Sequence, residues 1–327
     1  MSDAKLTSLT ELSVPALDDV GYFVDVSDTT DSANGSSRKL TLQRTLALCG
    51  LTPGGRLTTE SGVPISSSDR TSQGTLYYTP YLHDYIRLYD GTRPKLYLFT
   101  ERSLSLTMTS GKNYDVFLYD NSGTLTLELS AAWTNDTTRA DALAWQSGVG
   151  WVKSGSATRL WLGTIRASGT NVTESSWART DAAARSFVWN AYNRIRRPAR
   201  VIDSTSSWTY TSATKRQRRG SSNNQVEFVC GDLMAFQARS MSQSNRSTSS
   251  TWNYDGIGVD STSVNAGEEG VIQCVNSGFF EVTYTEHSAS VAAGYHYVCP
   301  LEWTYDASGT GTWYGGSNRP FSCWLEY

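Results

Sequence analysis

The stretch from Tyr114 to Leu129 reads YDVFLYDNSGTLTLEL, and it limits the fold of this chain more than any other. Apolar and polar residues alternate with a period of two on either side of Asp120-Asn121-Ser122-Gly123. Period two is strand geometry, because successive side chains of a strand leave opposite faces. The turn residues in the middle spell a hairpin with one dry face and one wet one. An earlier stretch repeats the pattern. Tyr85, Arg87 and Tyr89 alternate with Ile86 and Leu88, Asp90-Gly91 signals a turn, and residues 95–99 are a return strand.

The rest of the chain speaks the same language. Only 18% of its 327 residues are charged, against a usual share of about 25%. Aromatic residues make up 12%, with 18 Tyr and 11 Trp. Long helices need more Lys, Glu, Ala and Leu than this, whereas aromatic strands joined by Ser, Thr, Gly and Asn turns need what is here. The expectation is an all-β dominated fold, with β-sandwich or jelly-roll-like domains and two or three short helices. Beyond residue 199, strands are expected at 225–230, 271–275, 279–284, 295–303, 311–314 and 322–327, and another at 160–165. Helices are expected at 138–146 and at 181–197, where Ala184, Val188, Tyr192 and Ile195 share one face, Thr180 caps and Pro198 closes. A third runs from Thr41 to Gly50 on the spacing of Leu42, Leu46 and Cys49.

Four segments follow from these patterns. Residues 1–50 form a unit too small to fold alone. Residues 51–75, rich in Gly, Pro, Ser and Thr, read as a linker. Residues 76–198 form a β-rich middle domain with short helices, and 199–327 a C-terminal sandwich. MSDAKLTSLTEL lacks the apolar core of a signal peptide, and no apolar run reaches the ~18–20 residues of a membrane span. The expectation is synthesis in the cytoplasm and no membrane insertion.

Catalytic and metal motifs are scarce. There are three histidines, His83, His287 and His296, and no HExxH, HxxxH or GxSxG. The five cysteines are Cys49, Cys230, Cys274, Cys299 and Cys323. Their wide spacing excludes a zinc ribbon and favours buried free thiols over a disulfide pair. Paired carboxylates could hydrolyse a polysaccharide. The candidates Asp115, Asp120, Glu128, Glu227, Glu281, Glu286 and Glu302 all sit in strand or turn text where solvated acids are common. No pair stands out, so no enzyme, cofactor or metal is expected. A net charge of -3 argues against a nucleic-acid partner.

Two local features carry a binding reading. Arg194, Arg196, Arg197 and Arg200 end the expected helix, where cations complement its dipole. Lys215, Arg216, Arg218 and Arg219 fall in polar loop text. Both runs could dock on acidic neighbours through Arg–carboxylate forks. Near the end, Trp303, Tyr305, Trp313, Tyr314 and Trp324 cluster. The first four could stack on glycan rings, and the same residues could instead fill a core or a subunit contact.

Residues 1–50 also resemble the N-terminal attachment segment of phage tail-fibre and related virion proteins. The resemblance rests on Lys5-Leu6-Thr7-Ser8-Leu9-Thr10-Glu11-Leu12, Leu17-Asp18-Asp19-Val20, Phe23-Val24-Asp25-Val26, Gly35 and Arg38-Lys39-Leu40-Thr41-Leu42. A second resemblance, over about 77–200, is to a module of phage structural proteins. It rests on Tyr81-Leu82-His83-Asp84, residues 111–117, Leu162-Gly163-Thr164-Ile165 and Phe187-Val188-Trp189-Asn190. Together they imply a non-enzymatic virion protein, a tail fibre or spike used in host adsorption, held to other phage proteins through Leu6, Leu9, Leu12, Val24, Val26, Leu40, Leu42 and Leu46. A homotrimer and a host surface glycan as partner are implied as well. No coiled-coil, collagen-like or β-helical shaft follows residue 200. A capsid decoration protein, head fibre or tail adaptor therefore remains an alternative.

Overall fold

Alternation places the two early hairpins where they are expected. Tyr85–Tyr89 pairs antiparallel with Pro94–Leu98, and Asn113–Asn121 with Thr124–Leu129. Ser122 and Gly123 turn the second hairpin with φ of 53° and 95°, the left-handed pair that matches strand twist. In this computed structural model, residues 19–41, 52–248, 251–274, 278 and 280–327 are described, and they fold into an all-β architecture.

The helices expected at 138–146 and 181–197 do not form. The first region holds bends and the strand Leu143–Gln146; the second is divided among Ala184–Ser186, Val188–Asn190 and the start of Arg196–Ile202. The reason is burial on both faces. Ala183, Ala184, Ser186, Phe187, Val188, Trp189 and Asn190 are all buried, and a run with no wet side carries no readable period. Asp181 and Asn193, each at φ 55°, break the segment at its ends. Of the helix expected from Thr41 to Gly50, Thr41 ends the strand Ser36–Thr41 and the rest lies outside the described residues.

Three large sheets build the body, with a three-stranded sheet (Gly55–Thr58, Thr75–Pro80, Arg102–Ser105) and the Tyr85–Tyr89/Pro94–Leu98 hairpin closing the core of the first. A six-stranded sheet includes Thr124–Leu129, Asn113–Asn121, Ser156–Arg166, Gly150–Lys153 and Leu143–Gln146 in that order. One of its faces supplies Val116, Leu118, Leu160 and Leu162 to a core shared with Leu57, Leu76, Ile86 and Leu88. The other supplies Phe117 and Trp161 to a second core with Phe228, Phe236 and Leu325. Gly163 sits at a register shift against Asn113–Asn121, where a Cβ would overlap the Trp189 carbonyl oxygen.

The second core lies inside a β-sandwich. An eight-stranded sheet runs Gly270–Cys274, Thr251–Val259, Gly294–Thr304, Val226–Cys230, Ala184–Ser186, Thr173–Ser176 and Arg70–Gln73, with Arg216–Gln217 beside Gly294–Thr304. A seven-stranded sheet runs Ala178–Thr180, Arg196–Ile202, Phe321–Glu326, Met234–Arg246, Gly311–Tyr314 and Trp208–Tyr210. Glu281–Val291 pairs with Met234–Arg246 over eleven residues and is an edge of this sheet. Strict alternation along Met234–Arg246 buries Met234, Phe236 and Ala238 at one end and Ser240, Ser242, Ser244 and Arg246 at the other. The sandwich interior thus changes from apolar to polar along one strand.

Two expected boundaries are overridden. Residues 51–75, expected as a linker, contribute the strand Gly55–Thr58, buried throughout, and Arg70–Gln73. The division at 198/199 falls inside Arg196–Ile202, which pairs with Phe321–Glu326. Arg56 ties the early and late chain together. Its guanidinium is buried, donates to the carbonyls of Asn193 and Tyr327 (3.1 Å for the latter), and lies 5.2 Å from the Tyr327 ring centroid.

Candidate functional site

The basic runs are internal fastenings. Arg196 and Arg197 lie on a strand, so no helix dipole is involved. Arg194 sits 5.4 Å over the Trp189 ring, and Arg197 donates to the Ser66 carbonyl at 2.7 Å. Arg196 donates to Gln237 Oε1 at 2.7 Å and Arg200 to the Ser317 carbonyl at 2.5 Å. The second run finds acidic partners in its own chain. Lys215 pairs with Glu269 at 2.6 Å, Arg216 with Glu302 at 2.7 Å, Arg218 with Asp255 at 3.1 Å and Arg219 with Asp203 at 2.9 Å. The carboxylate forks expected between proteins are made within one.

Three of the acids expected to be solvated are buried instead. Asp115 accepts the indole N–H of Trp133 and of Trp161, each at 2.9 Å, together with Thr164 Oγ1 at 2.7 Å and Arg139 Nε at 2.9 Å. Glu302 accepts Trp208 Nε1 at 2.8 Å, Arg216 and the Arg219 backbone N–H at 3.0 Å. Burial pushes both carboxyls up, against these donors. Glu227 accepts from Gln225 at 3.0 Å and from the Tyr295 hydroxyl at 3.1 Å. Each of these buried carboxylates is bonded within the fold at both oxygens, which makes them fixed points of the architecture.

The other candidate groups behave alike. His296 Nδ1 bonds Asp260 at 2.8 Å and Nε2 lies 3.0 Å from the Ala292 carbonyl, which also accepts the Cys230 thiol at 3.0 Å. Burial opposes the imidazolium, but Asp260, Cys230 and Ala292 outweigh it and the pKa is pushed up to about 10. Cys230, Cys299 and Cys323 are free and buried, and burial raises Cys299 to about 12. Cys49 lies outside the described residues. Among the described residues, no cluster of three or more His, Cys, Asp or Glu could hold a metal, and no helix is long and apolar enough to cross a membrane.

The C-terminal aromatics divide by burial. Trp303 and Trp313 are 5% and 1% exposed; Trp303 packs with Cys299 and Leu301 in a small cluster on the face of its strand opposite Val298 and the sandwich core, and burial closes both tryptophans to a glycan. Trp303 stacks on Tyr254 at 5.3 Å and 3°. Tyr305 is exposed and packs edge-on against Trp252, while Tyr314 is half-buried against Phe280. The sequence reading missed Trp145 and Trp151, an exposed cross-strand pair with centroids 5.6 Å apart. Its signal was WQSGVGW, two tryptophans spaced about a Ser-Gly turn.

The outer face of the seven-stranded sheet gathers groups that internal bonds leave open. In Phe321–Glu326, Phe321, Cys323 and Leu325 are buried, so Ser322, Trp324 and Glu326 face outward. Register aligns Pro198, Trp324, Gln237 and Ser288 in one row across four strands. Arg196 opposes Glu326 in the next row, and Ala235 opposes Ser290. A cleft of about 270 Å³ lies there, lined by Arg196, Ala235, Phe236, Gln237, Ser288, Trp324 and Glu326. Farther along the face come the Arg239–Glu286 ion pair at 3.3 Å and the exposed Tyr284 and Val282.

Of the expected attachment residues, Leu6, Leu9, Leu12, Leu42 and Leu46 lie outside the described residues. Val24 and Val26 belong to a separate hairpin, Val20–Asp25 with Ser36–Thr41 and the turn beyond the first strand, and both are exposed; Leu40 is half-buried. Val20 and Phe23 are exposed on the same hairpin.

No family model matches the chain, and no curated protein does. Among solved structures it is similar to Eiger TNF from S. frugiperda, with TM-score 0.28 and 6% identity over 41% of this chain and 92% of that one. It is also similar to the insecticidal delta-endotoxin Cry8Ea1 from Bacillus thuringiensis, with TM-score 0.21 and 8% identity over 95% of this chain and 60% of that one. A third is a chain of infectious bursal disease virus Gx strain, with TM-score 0.24 and 8% identity over 79% of this chain and 68% of that one. With TM-scores below 0.5, none of the three demonstrates a shared fold.

Proposed function

We propose that this chain is a structural protein of a tailed-bacteriophage particle, a short tail fibre or spike held through residues 1–50, whose β-rich body faces outward for adsorption to a host surface glycan. The observation that carries the reading is the N-terminal hairpin. It is a two-stranded sheet of its own, and it exposes Val20, Phe23, Val24 and Val26. A lone hairpin is marginal in water, and exposed apolar side chains on one favour burial against a partner. This hairpin lies where the resemblance to fibre proteins expects the attachment segment. The body acts by binding rather than catalysis, a view supported by the internal bonding of its buried carboxylates. A homotrimer belongs to the same reading and is supported by the open edge strand Glu281–Val291 with exposed Val282 and Tyr284.

The test is a density map of the intact particle with the chain located in it. Density radiating from the tail with the N-terminus inward is the expected result. Density tiling the capsid would overturn the fibre reading in favour of a decoration or head-fibre protein, and absence from the particle would overturn the virion reading altogether.

A further inference from the structure

We infer that the cleft around Trp324 is a saccharide site that takes one or two uncharged hexopyranose rings. The inference rests on the adsorption reading for its biological meaning, but its chemistry stands on the cleft alone. Trp324 is half-buried on a central strand, with Pro198 and Gln237 beside it in register. Ala235, exposed on the neighbouring strand, has no side chain long enough to fill the space beside that ring. A flat, partly exposed indole beside a hollow suits the C–H face of a pyranose.

The polar rim narrows the class of ligand. Arg196 holds Gln237 by its amide oxygen, which leaves the amide N–H groups as outward donors. The Glu326 carboxylate, the Ser288 hydroxyl and the Trp324 indole N–H make no bond to another described residue. Donors and acceptors therefore ring the hollow in roughly equal number, and Arg196 and Glu326 balance in charge. An apolar ligand would strip water from these groups and return no hydrogen bond. A phosphate or sulfate would meet the Glu326 carboxylate. A sugar supplies both an apolar ring face and a rim of hydroxyls that donate and accept. The cleft volume of about 270 Å³ sits at the small end of ligand sites, so each site binds weakly and several copies on one particle raise the avidity.

The experiment is saturation-transfer NMR on the purified full chain with glucose, galactose, mannose, N-acetylglucosamine and their disaccharides. Millimolar binding of at least one of them is expected, with transfer strongest to the ring protons of one face. Trp324→Ala should weaken it roughly ten-fold or more, the size expected on removing a stacking ring. Trp324→Phe should keep part of it. Gln237→Ala removes a rim donor together with one neighbour of the ring, should weaken binding several-fold, and gives a second test should the Trp324 variant misfold. Trp145→Ala, on another sheet, should leave binding unchanged. Binding to none of these sugars would overturn the site, as would binding that survives both Trp324→Ala and Gln237→Ala. If instead Trp324→Ala dissociates an oligomer that binds no sugar, the face is a subunit contact and the proposal fails. Sugar binding by a chain absent from the particle would sink the virion reading and leave the site. A chain placed on the tail that binds no sugar would do the reverse.

Discussion

Two interiors lie side by side in this protein and are held by different physics. Around Leu57, Val116, Leu118, Leu160 and Ile165 the core is aliphatic and close-packed. At the polar end of the sandwich the space is filled by Ser240, Ser242, Ser244, Arg246, Asn253, Asp255 and Glu302, all at most 3% exposed. Arg218 there donates to Ser240 at 2.7 Å and Asp255 at 3.1 Å, Thr285 donates to Asp255 at 2.9 Å, and Asn253 donates to Ser244 at 2.8 Å. An aliphatic core accepts any packing of suitable volume. A hydrogen-bonded one accepts only the arrangement in which every partner is present. The first interior is held by apolar burial, and the second by bonded pairs that join Met234–Arg246, Thr251–Val259, Glu281–Val291 and Arg218.

The contrast can be broken at several points. Arg218→Ala leaves Asp255 buried without its cation and should cost about 3–5 kcal/mol in urea unfolding. Replacing the pair together, as Arg218→Met with Asp255→Leu, should recover most of that loss; a double variant as unstable as the single one would show that pairing is not what governs this interior. In the aliphatic core Leu118→Ala should cost about 2–5 kcal/mol, whereas Leu118→Met should cost less than about 1.5 kcal/mol. Equal losses for both would mean that this core, too, is specified by shape.

Smaller effects sharpen the same picture. His296 is charged in the fold, with its pKa raised from 6.5 to about 10. Its contribution is complete below pH 6.5 and fades as pH climbs towards about 10. Thermal midpoints measured across that window should fall in the natural protein and fall less in His296→Gln. Lys215 and Glu269 form an ion pair at the exposed margin of the polar interior, with side chains 31% and 42% exposed. Lys215→Ala should change stability by less than about 1 kcal/mol, and a larger loss would extend the specified interior out to the surface.

This division also governs what could be read in the sequence. Strands with one dry and one wet face were legible: the 85–98 and 113–129 hairpins and Gly311–Tyr314 fall where alternation puts them. Met234–Arg246 escaped notice, because Ser240, Ser242, Ser244 and Arg246 on its inner face make SMSQSNR look like a loop. The 181–197 segment was misread for the opposite reason, since burial on both sides erased its period. Of the candidate site, Trp324 was visible as an aromatic strand residue, and its outward direction follows from Phe321, Cys323 and Leu325 pointing in. The partners it meets were not visible, because Arg196, Gln237 and Ser288 come from strands that only the sheet order brings together. The 215–219 run was plain as charge, but charge does not say whether its acids belong to another chain or to this one.

The clasp between Arg56 and Tyr327 has a bearing on how the protein is made. Its two ends are 271 residues apart, so the strand Gly55–Thr58 waits on the ribosome for 271 more residues before its arginine can be caged. Until then a cation meant for a sealed site sits in water, and the sheets it joins stay open at their seam. Contacts of such sequence separation slow folding. The body should therefore close late, leaving its strand edges exposed to neighbouring copies during that interval.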